Sequence, residues 1–164
     1  MDPFTFASAP RNKGKLLIEL VPATMWEDNL RSRFSRSRWD QIRKAVYHRA
    51  NHVCEVCGES GKDQGRDRAV ECHEIWGFND GKHTQTLIGL IALCPRCHQV
   101  KHAGRTIHLD AVNGFSLVLQ RLMKVNGWDT TEATQHIHSS FALWHQRSRF
   151  DWEIDLSWLD TVAF

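Results

Sequence analysis

At 164 residues with 41% apolar content and a net charge of +2, the chain has room for one domain with a sizeable core and is neither strongly basic nor strongly acidic. No stretch approaches the roughly 18 consecutive apolar residues that crossing a bilayer takes, and residues 1–10 lack the basic-then-apolar pattern of a secretory signal. Cysteines number five, and four of them fall into Cys-x-x-Cys pairs, which speaks against a disulfide framework and for a reducing, cytoplasmic compartment.

In chain order, residues 1–14 carry no periodic pattern and are expected to be flexible. Residues 15–21 (Lys-Leu-Leu-Ile-Glu-Leu-Val) are rich in branched apolar side chains and stop at Pro22, the signature of a strand. Thr24 can cap a short helical segment through residues 25–30. Ser35 or Ser37 then opens a clearer helix over residues 38–50, where Trp39, Ile42, Ala45, Val46 and Ala50 recur at helical spacing and predict a buried stripe. Off that stripe lie Arg36, Arg38, Arg43 and Lys44. Between residues 31 and 49 there are seven Lys or Arg side chains against a single acid, Asp40. Such a block suits nucleic-acid phosphate even in a chain that is nearly neutral overall.

A first knuckle, Cys54-Glu55-Val56-Cys57, follows at once, and Gly58 supplies the permissive backbone a tight thiolate turn needs. Residues 59–68 read as a polar loop, 69–76 as a strand carrying Cys72, His73 and Glu74, and 77–86 as a second loop. The apolar run 87–93 leads into the second knuckle, Cys94-Pro95-Arg96-Cys97. Pro95 at a helix N1 position and Gly104 as a stop frame a short helix over residues 95–102. It carries His98 and His102 at i and i+4, on one helical face. Residues 115–125, closed by Gly127, and 131–149, opened by Asp129 or Thr130, are expected helices. Residues 150–159 alternate through Trp152, Ile154, Leu156 and Trp158 as a strand would, and are expected to pair with residues 15–21.

Two knuckles of this spacing suit a closed tetrahedral zinc site made of Cys54, Cys57, Cys94 and Cys97, with Cys72 left over. The helix N-terminus at the second knuckle favours thiolate charge through its free N–H groups and dipole. One knuckle on a turn and one on a helix, with a hairpin between them, is what a treble-clef zinc fold needs. A structural metal that also positions a pair of imidazoles points to metal-assisted hydrolysis more than to a plain zinc finger. His83 lies in a loop and is a weaker candidate ligand. His48, His52, His108, His136, His138 and His145 have no spacing that recommends them.

The succession Cys54-x-x-Cys57-Gly58, then Val70-Glu71-Cys72-His73-Glu74-Ile75-Trp76, then Leu90-Ile91-Ala92-Leu93-Cys94-Pro95-Arg96-Cys97-His98-x-x-Lys101-His102 resembles an HNH endonuclease of the zinc-stabilised ββα-metal kind. The resemblance covers about residues 39–104. It implies that a strand supplies a metal ligand followed directly by a histidine general base, and that the helix supplies further ligands, here His98 and His102. Two registers fit the strand. If the family's His-His-Ile is laid on His73-Glu74-Ile75, His73 is a ligand and Glu74 holds the general-base position. If its Asp-His pair is laid on Cys72-His73, His73 is the base and Cys72 replaces the carboxylate. The first is preferred, since Ile75 then matches and three imidazoles complete a site. Glu74 departs from the family's histidine, and an ordinary Glu is the weaker base unless burial raises its pKa.

The implied chain is an α+β protein: an HNH core over residues 51–106, preceded by a strand and basic helices (15–50) and followed by helices and a closing strand (107–164) packed on that core. The implied activity is hydrolysis of DNA phosphodiesters with one catalytic divalent cation (Mg²⁺, Mn²⁺, Ni²⁺ or Zn²⁺) beside a structural Zn²⁺. Arg36, Arg38, Arg43, Lys44 and Lys101 are the expected phosphate contacts. The alternative is a catalytically inactive treble-clef module gripping nucleic acid or protein. The C-terminal helices offer a surface to a protein partner or a second copy, and no membrane association is expected.

Overall fold

In the computed structural model, which describes residues 15–162 and 164, a mixed α+β architecture is organised by one antiparallel hairpin. Its strands are β1 (Glu71–Asn79) and β2 (Thr84–Leu93). Before the hairpin come helices α1 (Leu30–Arg33) and α2 (Arg36–Arg49); after it come α3 (Pro95–Lys101), α4 (Ala103–Leu109), α5 (Gly114–Asn126) and α6 (Thr130–Arg147). A short strand β3 (Glu153–Asp155) then pairs parallel to β2, Thr84 opposite Glu153. The expected flexible segment 1–14 lies outside the described residues. None of the described helices is long and apolar enough to cross a membrane.

The hairpin separates two cores. Alternation sends Ile91 and Leu93 to one face, where they pack with Leu16, Ile18, Val100, Val118, Leu122 and Ile137. Leu87, Leu90, Ala92, Cys72 and Trp76 face the other way, onto Leu30, Ile42 and Val46 from α1 and α2. Leu87 and Leu90 are three residues apart and would ordinarily point to opposite faces. A bulge resolves this: Ile75 pairs with Gly89 but Trp76 pairs with Leu87, so Ile88 is an extra residue and Leu87 rejoins the face of Leu90. Full burial of each such leucine contributes about 1.5–3 kcal/mol, so both faces need a helical cover.

Several elements differ from expectation. Residues 15–21 form no strand. Their backbone is satisfied by side chains instead: Leu16 N–H donates to Asn126 Oδ1 (2.6 Å), Asn126 Nδ2 donates to Leu16 O (2.8 Å), and Ile18 N–H donates to His136 Nε2 (3.0 Å). The segment therefore lies against α5 and α6, while β3 takes the edge of β2. Most of residues 77–86 is strand, the turn being confined to residues 80–83 with His83 at φ 50°. The helix after the second knuckle does not stop at Gly104. His102 (φ −98°, ψ 41°) breaks the helical path, and α4 resumes directly from it.

The helix ends follow capping chemistry. Ser35 accepts from Arg38 N–H at the start of α2, and Asp129 with Glu132 forms a reciprocal capping box on α6. Where α4 meets α5, Gly114 is packed against backbone: a Cβ there would lie 2.5 Å from Thr106 O and 2.7 Å from Ile107 Cα. Gly114→Ala is therefore expected to force the two helices apart and destabilise the protein by about 1–3 kcal/mol, read from its urea unfolding midpoint. An unchanged midpoint would contradict that packing.

Candidate metal centres

Among the described residues, two clusters of side chains with metal-ligand chemistry flank helix α3. In the first, sulfurs of Cys54, Cys57, Cys94 and Cys97 all lie within 4.8 Å of one another. The first knuckle is held by Gly58 N–H donating to Cys54 O (2.9 Å), with Gly58 at φ 75°, and by Cys54 N–H donating to Glu59 O (3.0 Å). Glu55 ties that turn to the hairpin: its N–H donates to Ala92 O (2.9 Å) and its carboxylate accepts from Ala92 N–H (2.8 Å) and Arg49 (2.7 Å). The second knuckle opens α3 with Pro95 at its first turn.

This cluster can hold a structural metal such as zinc. Its own contacts suit one. Arg121, buried on α5, donates through Nη2 to Cys57 (3.0 Å), Cys97 (3.3 Å) and Cys94 (3.4 Å). A thiolate accepts such bonds far better than a thiol. Mutual hydrogen bonding holds the Cys94 thiol far below its ordinary range and pushes Cys57 and Cys97 far above it, because bare thiolates cannot all stay charged side by side. A divalent cation removes that conflict.

The second cluster joins β1 to α3. His73, on the hairpin face turned toward α3, meets His98 and His102 with ring centroids 5.3 and 4.9 Å away, and those two lie 4.6 Å apart. One nitrogen from each ring falls within 4.8 Å of the others, and the Nε2 atoms of His98 and His102 are 3.1 Å apart. The rings run from a buried His73 to an exposed His102, so the cluster opens to solvent on one side. Burial pushes His73 down to about 4, against the opposing effect of Glu19. His102, open to solvent on its outer side, is pushed down as well, by desolvation where its ring meets the other two and then by His73 and His98. Neutral rings are what a metal ligand set requires.

Behind the rings stand two carboxylates. Glu71 Oε2 is 2.6 Å from His98 Nδ1, an arrangement that leaves His98 Nε2 facing the cluster. Glu19, from the extended segment 15–21, places Oε2 3.5 Å from His73 Nε2 while its Oε1 is paired to Lys101. Although burial works to raise it, His73 and Lys101 hold the Glu19 carboxyl below the usual range. A buried, low-pKa carboxylate orients an imidazole; it is a poor proton acceptor. Glu71→Ala is accordingly expected to weaken divalent-ion binding at the histidines by about 10–100-fold, measured by Ni²⁺ titration of protein already carrying zinc. An unaltered isotherm would remove Glu71 from this role.

No protein-family model, curated protein or solved structure matches this chain.

The other expected site residues are placed elsewhere. Glu74 is one residue from His73 and so points to the opposite face of β1, where its Oε1 accepts from Leu30 N–H (2.8 Å) and caps α1. Burial does raise its pKa, as a general base would need, but the side chain is not beside the histidines. Cys72 shares that opposite face and the α2 core, so the second register's ligand is also absent from the cluster. Lys101 is turned inward and buried against Glu19, which removes it from the expected phosphate contacts. Arg36, Arg38, Arg43 and Lys44 lie on α2, which covers the far face of the hairpin; Arg43 is paired to Asp40 (2.7 Å) and Arg38 donates to Gln41 (2.9 Å). His83 stacks on Phe150 at 4.3 Å, and His136 serves Ile18 N–H.

Glu19, Glu71 and Arg121 have no spacing signal, since each acts across more than twenty residues of sequence. Two exposed cations near the histidines are equally silent: Arg68, 3.8 Å from Glu71, and Arg105, whose charge acts on both Glu71 and His102.

Proposed function

We propose that this chain is a metal-dependent endonuclease of the HNH type, with a treble-clef scaffold built on a four-cysteine zinc site and a second ion held by His73, His98 and His102, that hydrolyses DNA phosphodiester bonds. The single observation that carries the reading is the meeting of those three imidazoles, one from the hairpin, one from the helix that the second knuckle starts and one from the residue that ends that helix. An ion held there supplies Lewis acidity to a phosphodiester and to the water that attacks it. The chain's own residues do the rest. Glu71 fixes the orientation of His98, and Glu19 stands behind His73. Arg68 and Arg105 offer charge to a phosphate on the open side of the cluster, a sequence-independent grip.

Glu74 has no part in this version of the chemistry, because its carboxylate is engaged on the other side of the sheet. That same observation favours a second reading, in which the module binds nucleic acid without cutting it. Supercoiled plasmid incubated with the purified chain and Mg²⁺, Mn²⁺ or Ni²⁺ separates the two. Metal-dependent nicking supports the nuclease; retention of plasmid on the protein with no nicking under any of the three ions supports the binder.

The pH dependence has a defined sign. A proton competes with an ion only below the folded pKa of the ligand, so the buried His73 adds no competition until pH falls toward about 4. Between about pH 6.5 and 5 the ion affinity of the histidine centre is expected to fall by at most about two decades per pH unit, where three ordinary imidazoles would give about three. Calorimetric Ni²⁺ titrations across that window check it, and the steeper slope would contradict the burial argument.

A further inference from the structure

We propose that Arg121 is the positioning residue of the thiolate centre, compensating the charge of the metal-bound sulfurs and fastening helix α5 to both knuckles. Arginine is almost never fully buried without a partner, yet only 6% of Arg121 is exposed. One of its nitrogens reaches Cys57 of the first knuckle and Cys94 and Cys97 of the second, at 3.0 to 3.4 Å. The other terminal nitrogen lies 3.1 Å from Glu59 Oε2. Glu59 in turn donates its N–H to Cys57 Sγ (3.4 Å) and pairs with Lys124 (2.8 Å), one turn along α5. Four thiolates around one divalent ion leave a net double negative charge inside the protein, and a neighbouring cation lowers the cost of burying it. Only a planar fork can address three sulfurs and a carboxylate at once; a lysine at this position would keep the charge and lose part of the geometry.

This inference rests on the reading of the four cysteines as a metal site. The test uses the full chain loaded with Zn²⁺, in wild type, Arg121→Met and Arg121→Lys. Zn²⁺ affinity is read by competition with a chromophoric chelator, and the sulfur-to-metal charge-transfer band is recorded after loading with Co²⁺. Arg121→Met is expected to weaken Zn²⁺ binding by about 10–100-fold and to move the band to lower energy, since thiolates stripped of N–H donors give up electrons more readily. Arg121→Lys should fall between the two. Wild-type affinity and band position in the variants would overturn the inference. Should Arg121→Met fail to fold even with metal, Arg121→Lys decides alone: a weaker affinity and a shifted band support the assignment, and wild-type values overturn it. Wild-type protein that takes up neither ion would overturn the cysteine reading together with this one, whereas metal-loaded protein indifferent to Arg121 overturns this one only.

Discussion

Cys97→Ser is expected to abolish stoichiometric metal binding at the cysteines and to leave the chain unfolded or molten at 25 °C. Cys97 and Cys94 are fully buried at the centre of the core that also contains Val100, Val118, Leu122 and Ile137. Loss of the ion there removes the link that ties the turn after α2 to the start of α3, and leaves the Glu59 ion pairs and core packing to hold them against α5. Structural zinc contributes on the order of 10–16 kcal/mol in small modules, as much as or more than the about 5–15 kcal/mol by which whole domains are stable. The remaining sulfurs would lose the divalent counter-charge and keep the single charge of the buried Arg121 beside them. Near-UV circular dichroism and zinc content of the purified variant measure the effect; a folded, metal-loaded Cys97→Ser protein would show that the cluster does not hold the fold together.

His98→Ala carries the second large effect. It removes the imidazole on which the cluster's geometry centres, since His98 is 3.1 Å from His102 through Nε2 and 2.6 Å from Glu71 through Nδ1. Lewis-acid assistance is worth several kcal/mol and each 1.36 kcal/mol is tenfold, so plasmid nicking should fall on the order of 10³-fold or more. The fold should survive, because His98 is partly exposed and belongs to neither core. Glu74→Ala is the instructive contrast. It strips the carboxylate from Leu30 N–H and is expected to cost about 1 kcal/mol of stability, as helix caps do, while nicking stays within a few fold. Nicking lost in Glu74→Ala and retained in His98→Ala would reverse the assignment of the site.

The parts of this protein legible in its sequence are those encoded locally. The knuckles, the i,i+4 histidines, the Ser35 cap, the Asp129 start of α6 and the Gly127 stop of α5 depend on residues a few positions apart, and they appear where spacing places them. Residues 15–21 mislead because strand composition describes what the side chains bury and leaves open where the backbone finds its partners; Asn126 and His136 supply them from a hundred residues away. The strand's face is legible only through alternation. Once His73 points to α3, Glu74 and Cys72 must point away, so no register of the motif can bring adjacent residues to one centre. Glu19, Glu71 and Arg121 have no local signature, being ordinary charged residues that become a supporting shell only when the chain closes.

The claim on which the functional reading rests is that the histidines form a second metal centre, independent of the cysteines. Native mass spectrometry of the full chain, first loaded with Zn²⁺ and then given Ni²⁺, counts the ions directly. Two bound ions in the wild type and a single zinc in a His73→Ala/His98→Ala variant are the expected result. One ion in the wild type, or two in both proteins, would contradict it.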